Sequence, residues 1–182
     1  AAVGILGYAY YQGSEESKNF AKSFNLTGGY AGITESKYRS LAVTLANTVG
    51  TTVGSIKEIE DAAINTGRVG PQNFGAFVLA AAKMQKATGQ TAEQVVADLA
   101  RMTESTTQWA TTSNQQYHFL TAAQIEHIRK LEEQGDKEKA VAAVLDALNA
   151  HVRTSASWWD QLKTSASEAW DAMTGSGKEK TI

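Results

Sequence analysis

The sequence predicts an all-α fold: a helical bundle of about six to eight short helices with a long C-terminal helix or helical hairpin. Three observations carry this. Segments of helical period start at Ser, Thr or Asp and stop at Gly. A single proline, Pro71, occurs in 182 residues, so long helices remain possible. Alternating β-branched runs, the mark of half-buried strands, are absent. The hydrophobic fraction of 42% suffices for a core. Alanine dominates it, which favours closely packed helices over large aromatic clusters.

The chain begins AAVGILGYAYYQGS. Ala1 to Tyr11 is apolar but shorter than the ~20 residues of a membrane-spanning helix. It has no basic n-region of a signal peptide. Tyr8, Tyr10 and Tyr11 close it as interfacial aromatics close a membrane segment. Residues 1–13 therefore read either as the end of a longer apolar segment or as an ordinary buried N-terminal helix. Residues 14–174 read as the helical domain, with a short-helix bundle over 14–120 and a hairpin with a coiled-coil-like last helix over 121–174. The charged, glycine-containing end, 175–182, reads as a disordered tail.

A first helix is expected from Ser14 to about Asn25, with Glu15 and Glu16 near its positive end. Leu26 to Gly32 is a glycine-rich turn, without the GK[ST] ending of a phosphate loop. Thr34 caps the next helix, whose stripe is Tyr38, Leu41, Leu45 and Val49 and whose stop is Gly50. Val53 to Thr66 follows, with Ile56, Ile59 and Ala63 inward and Gly67 at its end. Pro71 is placed in the first turn of the following helix, where its missing N–H is harmless. Phe74, Phe77, Val78, Ala81 and Met84 form that helix's apolar face, and Gly89 ends it.

Thr91-Ala-Glu-Gln94 is a capping box, followed by Val95, Leu99 and Met102 at helical spacing. Thr103 to Asn114, rich in Ser, Thr and Gln, has weak helical propensity and reads as a looser connection around Trp109. Thr121 caps a helix with Ile125, Ile128 and Leu131 inward. Gln134-Gly135-Asp136 signals a tight helical hairpin.

The last segment carries the clearest repeat. Val141, Leu145, Leu148, Val152, Ser155, Trp159, Leu162, Ala166, Ala169 and Met173 alternate steps of four and three, a period near 3.5 that keeps one seam toward a partner. The seam weakens at Ser155, where a second helix has an alternative start. Val141, Leu145, Leu148, Val152, Trp158, Trp159, Leu162, Trp170 and Met173 are the candidate interaction surface. Trp158, Trp159 and Trp170 suit burial by a partner, by a membrane interface or by the chain's own bundle.

No reactive constellation accompanies this scaffold. The chain has no cysteine and a net charge of −2. No basic stripe supports nucleic-acid binding. His118, His127 and His151 stand at no ligand spacing and read as solvated or capping residues. The clusters Glu58, Glu60, Asp61 and Glu132, Glu133, Asp136, Glu138 read as solvated faces or helix-terminal charges. No GxSxG, SxxK or dinucleotide fingerprint occurs. Neither a catalytic residue, a cofactor nor a metal is expected.

Four stretches in order resemble one family. GYAYYQGSEESKNFAKSFNLTGGYAGIT is similar to its passage from an apolar segment through a short helix and a glycine loop to a capped helix. GQTAEQVVADLARMTES resembles the helix pairs downstream, and HFLTAAQIEHIRKLEEQGDKEKAVAAVLDAL resembles its hairpin. SWWDQLKTSASEAWDAM resembles its next, tryptophan-bearing helix. From about Gly4 to Met173 the chain looks like an internal piece of a phage tail tape-measure protein, of the lambda-like family with long non-contractile tails. The resemblance implies a structural part in tail assembly, tail-length determination and DNA delivery through the host envelope. It implies self-association, tail tube and tail tip proteins, a tail-assembly chaperone, and the host inner membrane or one of its proteins as partners, with no specific nucleic-acid sequence. It places the chain in the tail lumen, after the bacterial cytoplasm during assembly and before the host envelope on ejection. The long measuring repeats and the peptidase or muramidase modules of some relatives are not in this sequence, so no lytic activity carries over.

Overall fold

The computed structural model describes residues 32–154 and, before them, Lys18, Ala21 and Lys22. Among these residues seven helices follow one another: α1 (Glu35–Val49), α2 (Val53–Thr66), α3 (Phe74–Thr88), α4 (Ala92–Ala100), α5 (Thr106–Tyr117), α6 (Ala122–Glu133) and α7 (Lys137–Thr154). A 3-10 turn, Arg101–Thr103, joins α4 to α5, and the described residues hold no strand. The all-α expectation is borne out. Lys18, Ala21 and Lys22 are helical, within the expected first helix. The rest of that helix, the apolar start, most of the glycine-rich turn and everything after Thr154 lie outside the described residues.

Local capping sets most boundaries. The Thr34 and Thr52 hydroxyls accept from the Lys37 and Ser55 N–H groups at 3.3 and 3.1 Å. Thr91–Gln94 and Thr121–Gln124 form complete capping boxes. At Gly135, φ +82°, the α6–α7 hairpin turns through a Schellman motif. The Gly135 N–H reaches the Glu132 carbonyl at 3.0 Å and the Asp136 N–H the Leu131 carbonyl at 2.9 Å.

At the centre lies α3. Nine of its 15 residues are buried, on every side of the helix, because α1, α2, α4 and α7 all pack against it. Only a helix apolar nearly all round can occupy such a position, and FGAFVLAAA supplies that. Its small alanines let the four neighbours approach. The buried residues of all seven helices join in one core.

Two expectations are corrected. Pro71 precedes α3 instead of entering its first turn: the Asn73 N–H bonds the Gly70 carbonyl at 3.2 Å, so Pro71 sits second in a tight turn, where its fixed φ fits. Thr106 to Tyr117 is a regular helix, not a loose connection. Tertiary anchors override its weak propensity. Trp109 is buried, donates from Nε1 to the Asp98 carbonyl at 3.0 Å, and meets Phe119 edge-on at 6.5 Å.

Candidate interaction surface

The described part of the predicted seam faces inward. Val141, Leu145 and Leu148 are buried, together with Ala140 and Val144. A face of positions 140, 141, 144, 145 and 148 is wider than a two-position coiled-coil seam and is that of a globular helix. Its partners are α3, α5 and α6 of the same chain. Where a partner surface was expected, these three residues are part of this chain's own core. Val152 lies in α7, but its side chain, with Trp158, Trp159, Leu162, Trp170 and Met173, lies outside the described residues.

Polar side chains from distant helices hold helix ends. The Glu132 carboxylate on α6 accepts from the Thr106 and Thr107 N–H groups at 2.8 and 2.9 Å, capping α5 from 25 residues away. Partial burial pushes this carboxyl up, but its contacts with Thr107 and Thr106 and nearby Lys137 outweigh that and hold it below the ordinary value. Lys86 on α3 donates to the Val49 and Gly50 carbonyls at 2.6 and 3.2 Å, closing the C-terminus of α1. Asn73, nearly buried, donates to the Glu138 carboxylate and carbonyl at 2.7 and 3.0 Å. Lys83 donates to the Asn149 carbonyl, and Asn149 to the Ala76 carbonyl, each at 3.0 Å. These last two sets tie α3 to α7. Glu132 and Glu138 thus fasten helices to one another, and Glu138 is at the same time an exposed helix-terminal charge in the first turn of α7.

Glu60 departs furthest from expectation. It lies on the inward stripe of α2 with Ile56, Ile59, Ala63 and Ile64, and is 0% exposed. Neither carboxyl oxygen has a hydrogen-bond partner. Burial, reinforced by neighbouring Asp61 and only partly offset by Lys57, pushes its pKa up to about 9. At neutral pH it is a protonated acid in the core. The signal was in the sequence: Glu60 is four residues from both Ile56 and Ile64, so the period places it inward whatever its charge. Its neighbour Asp61 accepts from the Tyr38 hydroxyl at 3.0 Å and ties α1 to α2.

Surface grooves open between the described helices. One of about 410 Å³ lies beside Glu58, Asp61 and Glu93, between α2 and α4. Another, about 380 Å³, runs along α5 past Trp109 and Tyr117. There burial raises the Asp98 carboxyl, partly offset by Arg101, and raises the Tyr117 hydroxyl together with Asp98. A third, about 280 Å³, opens between the start of α3 and α1. Among the described residues, no three His, Cys, Asp or Glu side chains gather as metal ligands. No described helix is long and apolar enough to cross a membrane. His118 closes α5 in the left-handed region, φ 50°, as an exposed capping residue.

Such an arrangement defines a packing domain, in which polar groups fasten helices to one another rather than converge on a cleft. Comparison with known proteins gives its family. Residues 1–129 match the family described as prophage tail length tape measure protein, and the chain belongs to that family. It is 26% identical over 191 residues to the tape measure protein of Escherichia phage lambda, covering 99% of this chain and 22% of that protein. With the tape measure protein of Escherichia phage N15 it shares 30% identity over 187 residues, 97% of this chain and 22% of the relative. The tape measure protein of Pseudomonas phage PAJU2 is 26% identical over 153 residues, 84% of this chain and 17% of the relative. The chain spans about a fifth of the length of these curated relatives. No solved structure matches it. The resemblance read from the residues is borne out.

Proposed function

We propose that this chain is a structural helical domain of a phage tail protein, acting in tail assembly and in delivery of DNA through the host envelope, without catalytic activity. The family match over residues 1–129 carries the reading. Geometry constrains it further. The 123 residues from 32 to 154 would reach ~185 Å as one extended helix. Their longest helix, α7, has 18 residues, ~27 Å. Seven helices folded on one core span far less than a continuous rod. In this reading the extended measuring part of the full-length protein lies elsewhere, and this domain supplies a folded body in the tail lumen. Tail tube and tail tip proteins, an assembly chaperone, and an inner-membrane component at ejection are its partners. Self-association falls to Trp158, Trp159, Leu162, Trp170 and Met173, beyond the described helix.

The test is in-frame removal of residues 32–154 from the full-length protein, with tail lengths measured by electron microscopy and infectivity by plaque count. The expected outcome is tails within about 30 Å of parental length that adsorb but fail to deliver DNA, or failure to assemble tails. Shortening by ~185 Å would mean that the segment lies extended along the lumen, and the folded-body reading would fall. Normal tails with normal infectivity would remove both proposed roles. Peptidoglycan degradation by the purified chain in a zymogram would overturn the non-enzymatic reading.

A further inference from the structure

We propose that the α1–α2 hairpin is a releasable unit of this bundle and that Glu60 is its latch. The hairpin is tied to itself. Its turn closes through the Gly50 and Thr51 N–H groups, which donate to the Ala46 carbonyl at 2.9 and 3.0 Å, and the Tyr38 hydroxyl holds Asp61 across the pair. At this turn it is fastened to α3: Lys86 reaches the Val49 and Gly50 carbonyls, and the Ser55 hydroxyl donates to Gln85 Oε1 at 2.9 Å. Past the other end of α2, Arg68 pairs with Glu104 on the open surface. By contrast, α3 and α7 are tied along much of their length, at Asn73, Ala76 and Lys83.

Between those ends α2 packs on α1, α3 and α4, and Glu60 belongs to its inward stripe. A carboxyl that is fully buried, with no hydrogen-bond partner on either oxygen, is tolerated there only while it is uncharged. On their buried faces the surrounding helices present few titratable groups. From α1 comes Tyr38, which is engaged with Asp61, and from α3 comes Lys83, which donates to the Asn149 carbonyl on α7. The buried face of α4 has none. Glu35, Lys37, Arg39, Lys86, Glu93 and Asp98 on the same helices are exposed or half-exposed. Among the described residues, the charges that act on Glu60 are Asp61, which opposes its ionisation, and Lys57, which favours it, both on its own helix. Charging Glu60 therefore requires water, and water reaches it when α2 moves away from α3 and α4. Its value is about 9 in the closed bundle against an ordinary 4.5 once released. Between these limits release becomes about tenfold easier with each pH unit. Release uncovers the sides of α3 and α4 beneath the hairpin, while Asn73, Lys83, Asn149 and Glu132 keep their fastenings in the remaining helices.

Backbone amide hydrogen exchange of the full chain, corrected for the intrinsic rate at each pH, reads the opening of each helix. The amides of α2 are expected to open about tenfold or more above those of α6 and α7. Their opening constant should rise about a hundredfold from pH 6 to pH 8. In Glu60→Gln the same amides should open no more readily at pH 8 than at pH 6. Equal protection of α2 and of α6 and α7 at every pH would overturn the releasable unit. A rise that is absent from the wild type, or that survives in Glu60→Gln, would overturn the latch. Lys86→Met removes the fastener at the turn and supplies a second reading. Opening of α1 and α2 should increase several-fold, with its pH dependence and the protection of α6 and α7 unchanged. Protection lost in all helices together would refute a separate hairpin.

Discussion

Replacing Glu60 by Gln should stabilise the protein at neutral pH, and by an amount that depends on pH in a defined way. Glu60 is fully buried, has no hydrogen-bond partner, and is raised from an ordinary value of 4.5 to about 9. Unfolding releases its proton at any pH between these values. Because the folded-state pKa is the higher, the stability it contributes is fully present below pH 4.5 and is lost as pH rises through about 9. Within that window each pH unit removes about 1.4 kcal/mol. At pH 7 the accumulated loss is roughly 3 kcal/mol. Gln cannot ionise, but its amide leaves an extra buried donor unpaired, which offsets about 1 kcal/mol or more. The expected gain at pH 7 is therefore about 1–2 kcal/mol, shrinking toward pH 5 and growing toward pH 9. Urea unfolding of the wild type and Glu60→Gln across pH 5–9 measures it directly. Glu60→Met, which removes the polar atoms altogether, should gain more. The carboxylates with lowered values, Glu126 and Glu132, lose their contributions only as pH falls below the ordinary glutamate range, so they do not distort the window. A difference between wild type and Glu60→Gln that stays constant from pH 5 to 9 would refute the reasoning, because it would mean that Glu60 ionises freely in the folded protein.

Glu132→Ala should destabilise by about 1–2 kcal/mol, and amide exchange should quicken first at Thr106 and Thr107; unchanged protection there would show that α5 does not depend on its distant cap. The Glu132 contribution should also fade as pH drops below the ordinary carboxylate range, because its folded-state value is lowered. Gly135→Ala forces a Cβ into the left-handed region and should lower stability by about 1–2 kcal/mol, seen as a shift in denaturation midpoint without a change in slope. Leu145→Ala, at a fully buried site, should remove about 2–5 kcal/mol without altering mass in multi-angle scattering. Trp159→Ala with Leu162→Ala should do the reverse, lowering any oligomer mass while leaving the unfolding midpoint in place.

What the sequence revealed and what it concealed divide along a physical line. A Thr that accepts from the N–H three residues ahead, or a Gly that turns left-handed after a helix, acts within one turn, so Thr34, Thr91 and Thr121 and the stops Gly50, Gly67 and Gly89 mark boundaries without knowledge of the fold. Glu132 capping α5, Lys86 closing α1, and Asn73 holding Glu138 are the same chemistry carried out across 25 to 65 residues. Such a cap looks like any exposed charge until the helices are placed. The misjudged Thr106–Tyr117 segment has this origin: its propensity is weak, and the groups that stabilise it, Glu132, Asp98 and Phe119, all lie outside it. Glu60 failed for another reason. Its period was readable, but its charge was given more weight than its position, and only burial decides between them.

The seam illustrates how far periodicity can carry an argument about partners. A repeat near 3.5 residues says that one face of a helix is covered, and it is silent on whether the cover belongs to the same chain. In α7 the answer is internal: Ala140 and Val144 join Val141, Leu145 and Leu148 to widen the stripe, and α3, α5 and α6 close over it. That leaves a sharp division of labour along one sequence repeat. Its first half holds the bundle together, so truncations there act on stability. For the half beyond Thr154, with its three tryptophans, we propose a partner as the cover, so truncations there should act on assembly. If Trp159→Ala with Leu162→Ala instead lowered the unfolding midpoint as much as Leu145→Ala, the entire repeat would belong to the core. The binding surface of this tail domain would then have to be sought on the outer faces of α1, α2 and α5.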